Sequence, residues 1–127
     1  MKETIAKLTG SCMCDAVQYE IHGELRDVIA CHCNACRKFS GHFSAATAVL
    51  PERLKLLNQE GLRWYRSSAN AQRGFCCRCG SALFWKPESG EHISIFAGTI
   101  EGQTKLRVAS HICLEDKGDY YDVNSDC

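Results

Sequence analysis

A mainly β fold, built of short antiparallel sheets organised around clustered cysteines, is what this sequence predicts. Three observations carry the prediction. Val17, Tyr19 and Ile21 alternate with Gln18, Glu20 and His22, the period-two pattern of a strand with one buried face. FSAATAVL, which ends before Pro51, LRWYRS and HISIFAGTI favour strands through their aromatic and β-branched content. Gly41, Gly61, Gly74, Gly90, Gly98 and Gly102 punctuate these runs at intervals suited to turns between short strands.

Taken in order, the first strand follows the cysteine pair Cys12 and Cys14. One helical turn is expected after Cys36, where NACRKFSG has no β signal and ends in Gly. PERLKLLNQ reads equally as strand or helix, and no internal repeat stands out. At 127 residues and 45% hydrophobic content, residues 1–127 suit a single domain with a modest core of its own.

Fifteen Lys and Arg balance fifteen Asp and Glu without a run of like charge. That balance argues against a nucleic-acid footprint or a polybasic membrane patch and in favour of a small partner. The opening MKETIAKLTG lacks the apolar stretch of a signal peptide, and no segment approaches the ~20 apolar residues of a membrane span. The expectation is a soluble, cytoplasmic protein. In a reducing compartment its ten cysteines are not disulfides, so their clustering calls for thiolate ligation of a soft metal. Cys113 and Cys127 stand alone and read as buried apolar cysteines.

The clusters are Cys12 and Cys14; Cys31, Cys33 and Cys36 in CHCNAC; and Cys76, Cys77 and Cys79 in FCCRCG. In Cys-x-Cys on an extended backbone both sulfurs leave the same face. In Cys-x-x-Cys a tight turn brings them together, with Gly80 supplying a permissive backbone after Cys79. Cys77, inside that turn, points away and is not counted as a ligand. Seven ligands divide into four plus three, the contrast between a closed structural zinc and a catalytic zinc with an open position. Spacing permits two partitions. Cys33 and Cys36 with Cys76 and Cys79 would form a ribbon, leaving Cys12, Cys14 and Cys31. Alternatively Cys12, Cys14, Cys76 and Cys79 join, which keeps CHCNAC whole and is preferred for that reason. Ligand softness and spacing favour zinc over iron, the competing metal.

At GSCMCDAVQYEI, CHCNACRKFSG, YRSS, RGFCCRCGSALFW, IFAGTIEG and HICLEDKGDYYD the chain resembles the glutathione-dependent formaldehyde-activating (GFA) enzymes, Mss4-like zinc proteins that include the centromere protein V group. The match runs along most of the chain in the family's order. The resemblance implies an Mss4-like fold, a closed site at Cys12, Cys14, Cys76 and Cys79, and an open catalytic site at Cys31, Cys33 and Cys36. Asp15 stands where the family often has Gly, Cys77 where Pro is frequent, and Tyr121 near a position often held by Trp.

The activity so implied is that of a zinc-dependent carbon-sulfur lyase, with two zinc ions per chain, adding glutathione or a similar thiol to formaldehyde or another small aldehyde. The rival is a non-catalytic zinc scaffold for a protein partner, its second site closed by Cys77, Cys113 or a His. A redox or metal-buffering role for the CHCNAC thiols is the weakest reading. Arg37, Lys38, Arg73 and Arg78 flank the clusters; each taken singly is expected to be a solvated charge rather than an offset for the thiolates. His32 should face away from the metal as a supporting or packing residue, and His111 should be structural. Phe39, Phe43, Trp64 and Trp85 belong to a core or a pocket wall.

Overall fold

The computed structural model describes residues 7–124, so Cys127 lies outside it. Strands dominate: β1 (Lys7–Ser11), β2 (Gln18–His22), β3 (Val28–Cys31), β4 (Ser44–Val49), β5 (Leu54–Asn58), β6 (Leu62–Ser68), β7 (Ala71–Cys76), β8 (Ala82–Pro87), β9 (Ile93–Phe96) and β10 (Val108–Ile112). A single α-helix among the described residues, α1 (Asn34–Ser40), sits between β3 and β4. Two sheets result, a three-stranded one in the order β1-β2-β5 and a seven-stranded one in the order β10-β3-β4-β9-β8-β7-β6. Every strand pair is antiparallel except β10 with β3, which makes the larger sheet mixed.

The alternation at residues 17–22 does what its period requires. Tyr19 and Ile21 of β2 are buried together with Val17, while Glu20 and His22 turn outward. Their partners are Leu62, Leu83, Phe84, Ile93 and Ile95 of the larger sheet, so the core lies between the sheets. Tyr19 meets Phe84 edge to face at 5.4 Å. The ambiguous PERLKLLNQ resolves into a short 3-10 turn at Pro51–Arg53 followed by β5, whose alternation of half-buried Leu54 and Leu56 with exposed Lys55 and Leu57 suits an edge strand.

Several expectations need correction. The helix starts at Asn34 rather than after Cys36, because Cys33 caps it by accepting the Cys36 amide through its sulfur. Gly41 then ends it with φ 86°, the left-handed cap that glycine favours. Gly74 is not a turn residue. It lies inside β7, where a Cβ would come within 3.0–3.2 Å of the Trp64 and Phe84 rings. Gly98 lies in a 3-10 turn, Ala97–Thr99.

Candidate functional site

Two cysteine groups assemble on this scaffold. Cys12 closes off β1 and Cys14 lies in the turn leading towards β2, while Cys76 ends β7 and Cys79 sits in the turn to β8. Their four sulfurs lie within 4.8 Å of one another. Cys14 Sγ is 3.8 Å from Cys12 Sγ and 3.7 Å from Cys76 Sγ. Sulfurs at about 2.3 Å from a common zinc form a tetrahedron with edges of about 3.8 Å, so the donor set fits a closed four-thiolate site. The turn around Cys14 carries Asp15 at φ 66°, which explains in backbone terms why glycine suits that position in the family it resembles. The Cys12 and Cys14 sulfurs therefore meet through a turn, not through an extended Cys-x-Cys strand.

Backbone amides point at these sulfurs: Val17 N–H reaches Cys12 at 3.3 Å and Arg78 N–H reaches Cys76 at 3.4 Å. The Ser81 hydroxyl beside Cys79 draws that thiol down to about 5. At Cys14 the Ala16 amide favours the thiolate, but desolvation and the sulfurs of Cys76, Cys12 and Cys79 outweigh it and push the thiol up to about 11. Without an ion, four sulfurs this close divide their protons unevenly, and a metal cation removes the conflict by displacing them.

The second group is local. Cys31 ends β3, Cys33 caps α1 and Cys36 lies in its first turn, and the three sulfurs fall within 4.8 Å of one another. Here the extended backbone between Cys31 and Cys33 turns both side chains to one face and sends His32 to the other. Burial raises the Cys31 thiol, whereas at Cys33 burial is outweighed by the Cys36 amide and the neighbouring sulfurs, and the thiol is lowered. Three thiolates lining a cavity fit a zinc with one exchangeable position. The structure thus brings together the sulfurs of Cys12, Cys14, Cys76 and Cys79, and separately those of Cys31, Cys33 and Cys36. Cys77 is exposed and belongs to neither group, and Cys113 is half-buried outside both.

Arg73 overturns the expectation of a solvated charge. It is 6% exposed, and both terminal nitrogens lie 3.7 Å from Cys36 Sγ. Ser67 Oγ accepts from its Nε at 3.1 Å, and the guanidinium carbon stands 5.3 Å over the Phe39 ring. The cation is locked where it offsets thiolate charge. Arg78 keeps to the surface and pairs with exposed Glu60, whereas Arg37 is half-buried and donates to the Asp116 carbonyl.

His32 is fully buried behind the cysteines, with Nε2 3.0 Å from His111 Nδ1 and Nδ1 against the Tyr121 hydroxyl. Burial, with a smaller contribution from the nearby His111, His42 and Lys117, lowers its pKa. Tyr121 thereby ties the tail to the segment between β3 and α1 that presents Cys31 and Cys33. Phe43 packs on His32, Trp64 stacks on Phe84 in the core, and Trp85 walls a cavity.

That cavity, about 250 Å³, is lined by Cys31, Cys33, Cys36 and Arg73. Ile29, Ala46, Trp85, Phe96 and Ile112 supply apolar walls, with Ser44, Ser94 and Arg26 among them. Of these residues only the cysteines, Arg73 and Trp85 carry a signal in the sequence, because the others are ordinary strand residues until β3, β4 and β9 are laid side by side.

With this geometry in place, comparison with known proteins decides the family. The model of glutathione-dependent formaldehyde-activating enzymes matches residues 7–116. The chain belongs to the GFA family. It is 30% identical over 115 residues to an uncharacterized lyase of Schizosaccharomyces pombe, covering 89% of this chain and 82% of that protein. A crystal structure of a Rhodobacter sphaeroides protein superposes with a TM-score of 0.67 at 25% identity, covering 81% of this chain and 98% of the other. The mixed β architecture and the paired cysteine groups of this GFA chain accord with the Mss4-like fold. No helix among the described residues is long and apolar enough to cross a membrane.

Proposed function

We propose that the chain is a zinc-dependent carbon-sulfur lyase that adds glutathione, or a similar small thiol, to formaldehyde or another small aldehyde. The observation that carries this reading is the cavity lined by the converging Cys31, Cys33 and Cys36 sulfurs and a buried arginine. Cys12, Cys14, Cys76 and Cys79 would hold a structural zinc and Cys31, Cys33 and Cys36 a catalytic one. When bound there, zinc supplies Lewis acidity and favours the thiolate form of a thiol.

In the addition, the substrate sulfur bonds to the aldehyde carbon, the carbon–oxygen π bond breaks, and the thiol proton ends on the new hydroxyl. Cys31, Cys33 and Cys36 fix the site at the mouth of α1, and Cys33 is itself oriented by the Cys36 amide at 3.3 Å. Arg73 holds positive charge against Cys36, so that negative charge gathered by three cysteines and an incoming thiol is opposed within a low-dielectric pocket. The apolar walls limit water around the reacting atoms. His32, anchored by Tyr121 and His111, holds the segment between β3 and α1 from which Cys31 and Cys33 project.

Family membership and the lyase relative support this reading at the level of reaction class. The direct test is a rate assay with glutathione and formaldehyde on zinc-loaded protein, against the spontaneous reaction and against Cys36→Ser. Acceleration lost in the variant supports the reading; no acceleration by the wild type removes this substrate pair.

A further inference from the structure

Formaldehyde has two heavy atoms and glutathione carries charged groups at both ends, so neither accounts for the apolar walls of the cavity beside the three cysteines. Its volume is about 250 Å³, whereas an apolar cavity of about 150 Å³ already accepts benzene. Most of its wall is aliphatic or aromatic, from Ile29, Ala46, Trp85 and Phe96. Such a surface is wasted on a small polar reactant but complements an apolar group.

One polar atom in this wall lacks a partner. Ser44 is 4% exposed and lines the cavity, yet its Oγ has no hydrogen-bond partner among the described residues. Leaving a buried hydroxyl unpaired destabilises a fold, so this one calls for a partner supplied from outside. Register places Ser44 directly across from Cys31, one of the three cysteines that line the cavity. The other polar groups here are engaged or less buried: Arg26 Nη2 donates to the Ala46 carbonyl at 2.9 Å, and Arg73 is held by Ser67 and Cys36.

An unpartnered hydroxyl beside the sulfurs, followed by a ring-sized apolar space, defines the ligand. Resting on the lyase reading above, we propose that the cavity receives an aldehyde bearing a ring-sized apolar substituent, with Ser44 Oγ hydrogen-bonded to the aldehyde oxygen and Trp85 and Phe96 against the substituent. The oxygen that becomes the hydroxyl of the thiol adduct is then held from the aldehyde through to the product.

Benzyl alcohol, which has the oxygen and the ring but cannot add a thiol, and toluene, which has only the ring, separate the parts of this assignment. Titration calorimetry on zinc-loaded protein should show benzyl alcohol binding more tightly than toluene. Ser44→Ala should weaken benzyl alcohol by about two- to tenfold, the worth of one hydrogen bond, and leave toluene unchanged. Because it removes an unpaired buried hydroxyl, Ser44→Ala should melt no lower than the wild type. Ser94→Leu, which fills the cavity from β9, should weaken both ligands. Equal benzyl alcohol binding in the wild type and Ser94→Leu, or no effect of Ser44→Ala, overturns the proposal.

Turnover with glutathione distinguishes this failure from failure of the lyase reading. Benzaldehyde used more efficiently than formaldehyde supports the assignment. Formaldehyde turned over with benzaldehyde ignored overturns it and leaves the lyase reading standing. Benzyl alcohol bound with neither aldehyde turned over overturns the lyase reading and the aldehyde identity of the ligand together.

Discussion

Both terminal nitrogens of Arg73 lie 3.7 Å from Cys36 Sγ, with the guanidinium buried between Phe39 and the cysteine. A planar fork engages one sulfur with two donors, which the point charge of a lysine ammonium cannot reproduce. Arg73→Lys is therefore not conservative. Arg73→Met should lower metal affinity at the three-cysteine group by about 10- to 100-fold, the usual effect of losing a group that supports a ligand, and Arg73→Lys should fall between. Metal retention against graded chelator reads this directly. The four-cysteine group, where Arg73 makes no contact, should keep its metal in both variants.

The two cysteine groups should respond differently to substitution. Cys12, Cys14, Cys76 and Cys79 join β1 to β7 across the chain, so an ion there ties remote segments together and its binding energy is folding energy. Cys76→Ser should lower the melting temperature steeply and leave protein that aggregates or is proteolysed. Cys31, Cys33 and Cys36 span one local turn, and Cys36→Ser should cost one metal equivalent and all activity while the melt shifts little. Elemental analysis beside thermal unfolding checks both. A large drop in melting temperature for Cys36→Ser would show the local group to be structural as well.

How much of this was legible follows from what each feature depends on. Cysteine spacing and the alternation at Val17, Tyr19 and Ile21 are local, and they pointed to the β architecture and the sulfur groups found. Local spacing misled where two backbones give the same pattern: Cys12 and Cys14 meet through a turn at Asp15, not along a strand. Strands β1 and β10 carry no strong period of their own and exist through pairing, β1 with β2 and β10 in parallel with β3. Arg73 looked like a surface charge because its burial comes from α1, 37 residues away in sequence, which brings Phe39 and Cys36 over it. Ser44 was silent for the same reason, since nothing in FSAATAVL marks its one serine as facing a cavity.

Gly61 needs to be glycine for a steric reason. A Cβ there would come within 2.8 Å of Cys76 Sγ and of Ala16 Cβ, while its amide donates to the Ala16 carbonyl at 3.0 Å and its carbonyl accepts from Cys77. Gly61→Ala should therefore push a sulfur of the four-cysteine group, destabilising the fold by about 1–3 kcal/mol and speeding metal loss to chelator. Gly98→Ala is the matched control, since a Cβ there meets nothing within 4 Å. Equal melting temperatures for the two variants would refute the steric account.

Tyr19 gives the fold a pH dependence of known sign. Thr99 Oγ1 donates its one proton to the Phe96 carbonyl at 2.8 Å, so the Tyr19 hydroxyl is the donor in its 2.6 Å bond to Thr99. Desolvation, helped by the Glu101 charge, pushes the phenol up to about 12 from the ordinary 10.0. Between these values the unfolded chain has released the proton and the folded chain retains it. The folded state then binds more protons, so this contribution to stability falls as pH rises through the window and levels off above it. Two units correspond to about 2–3 kcal/mol. Tyr19→Phe should be less stable at neutral pH by about 1 kcal/mol, one hydrogen bond, yet show a shallower loss between pH 10 and 12. Urea unfolding of both proteins across that range isolates the difference from other groups that titrate there. Parallel stability curves would mean that the Tyr19 proton is not held by the fold.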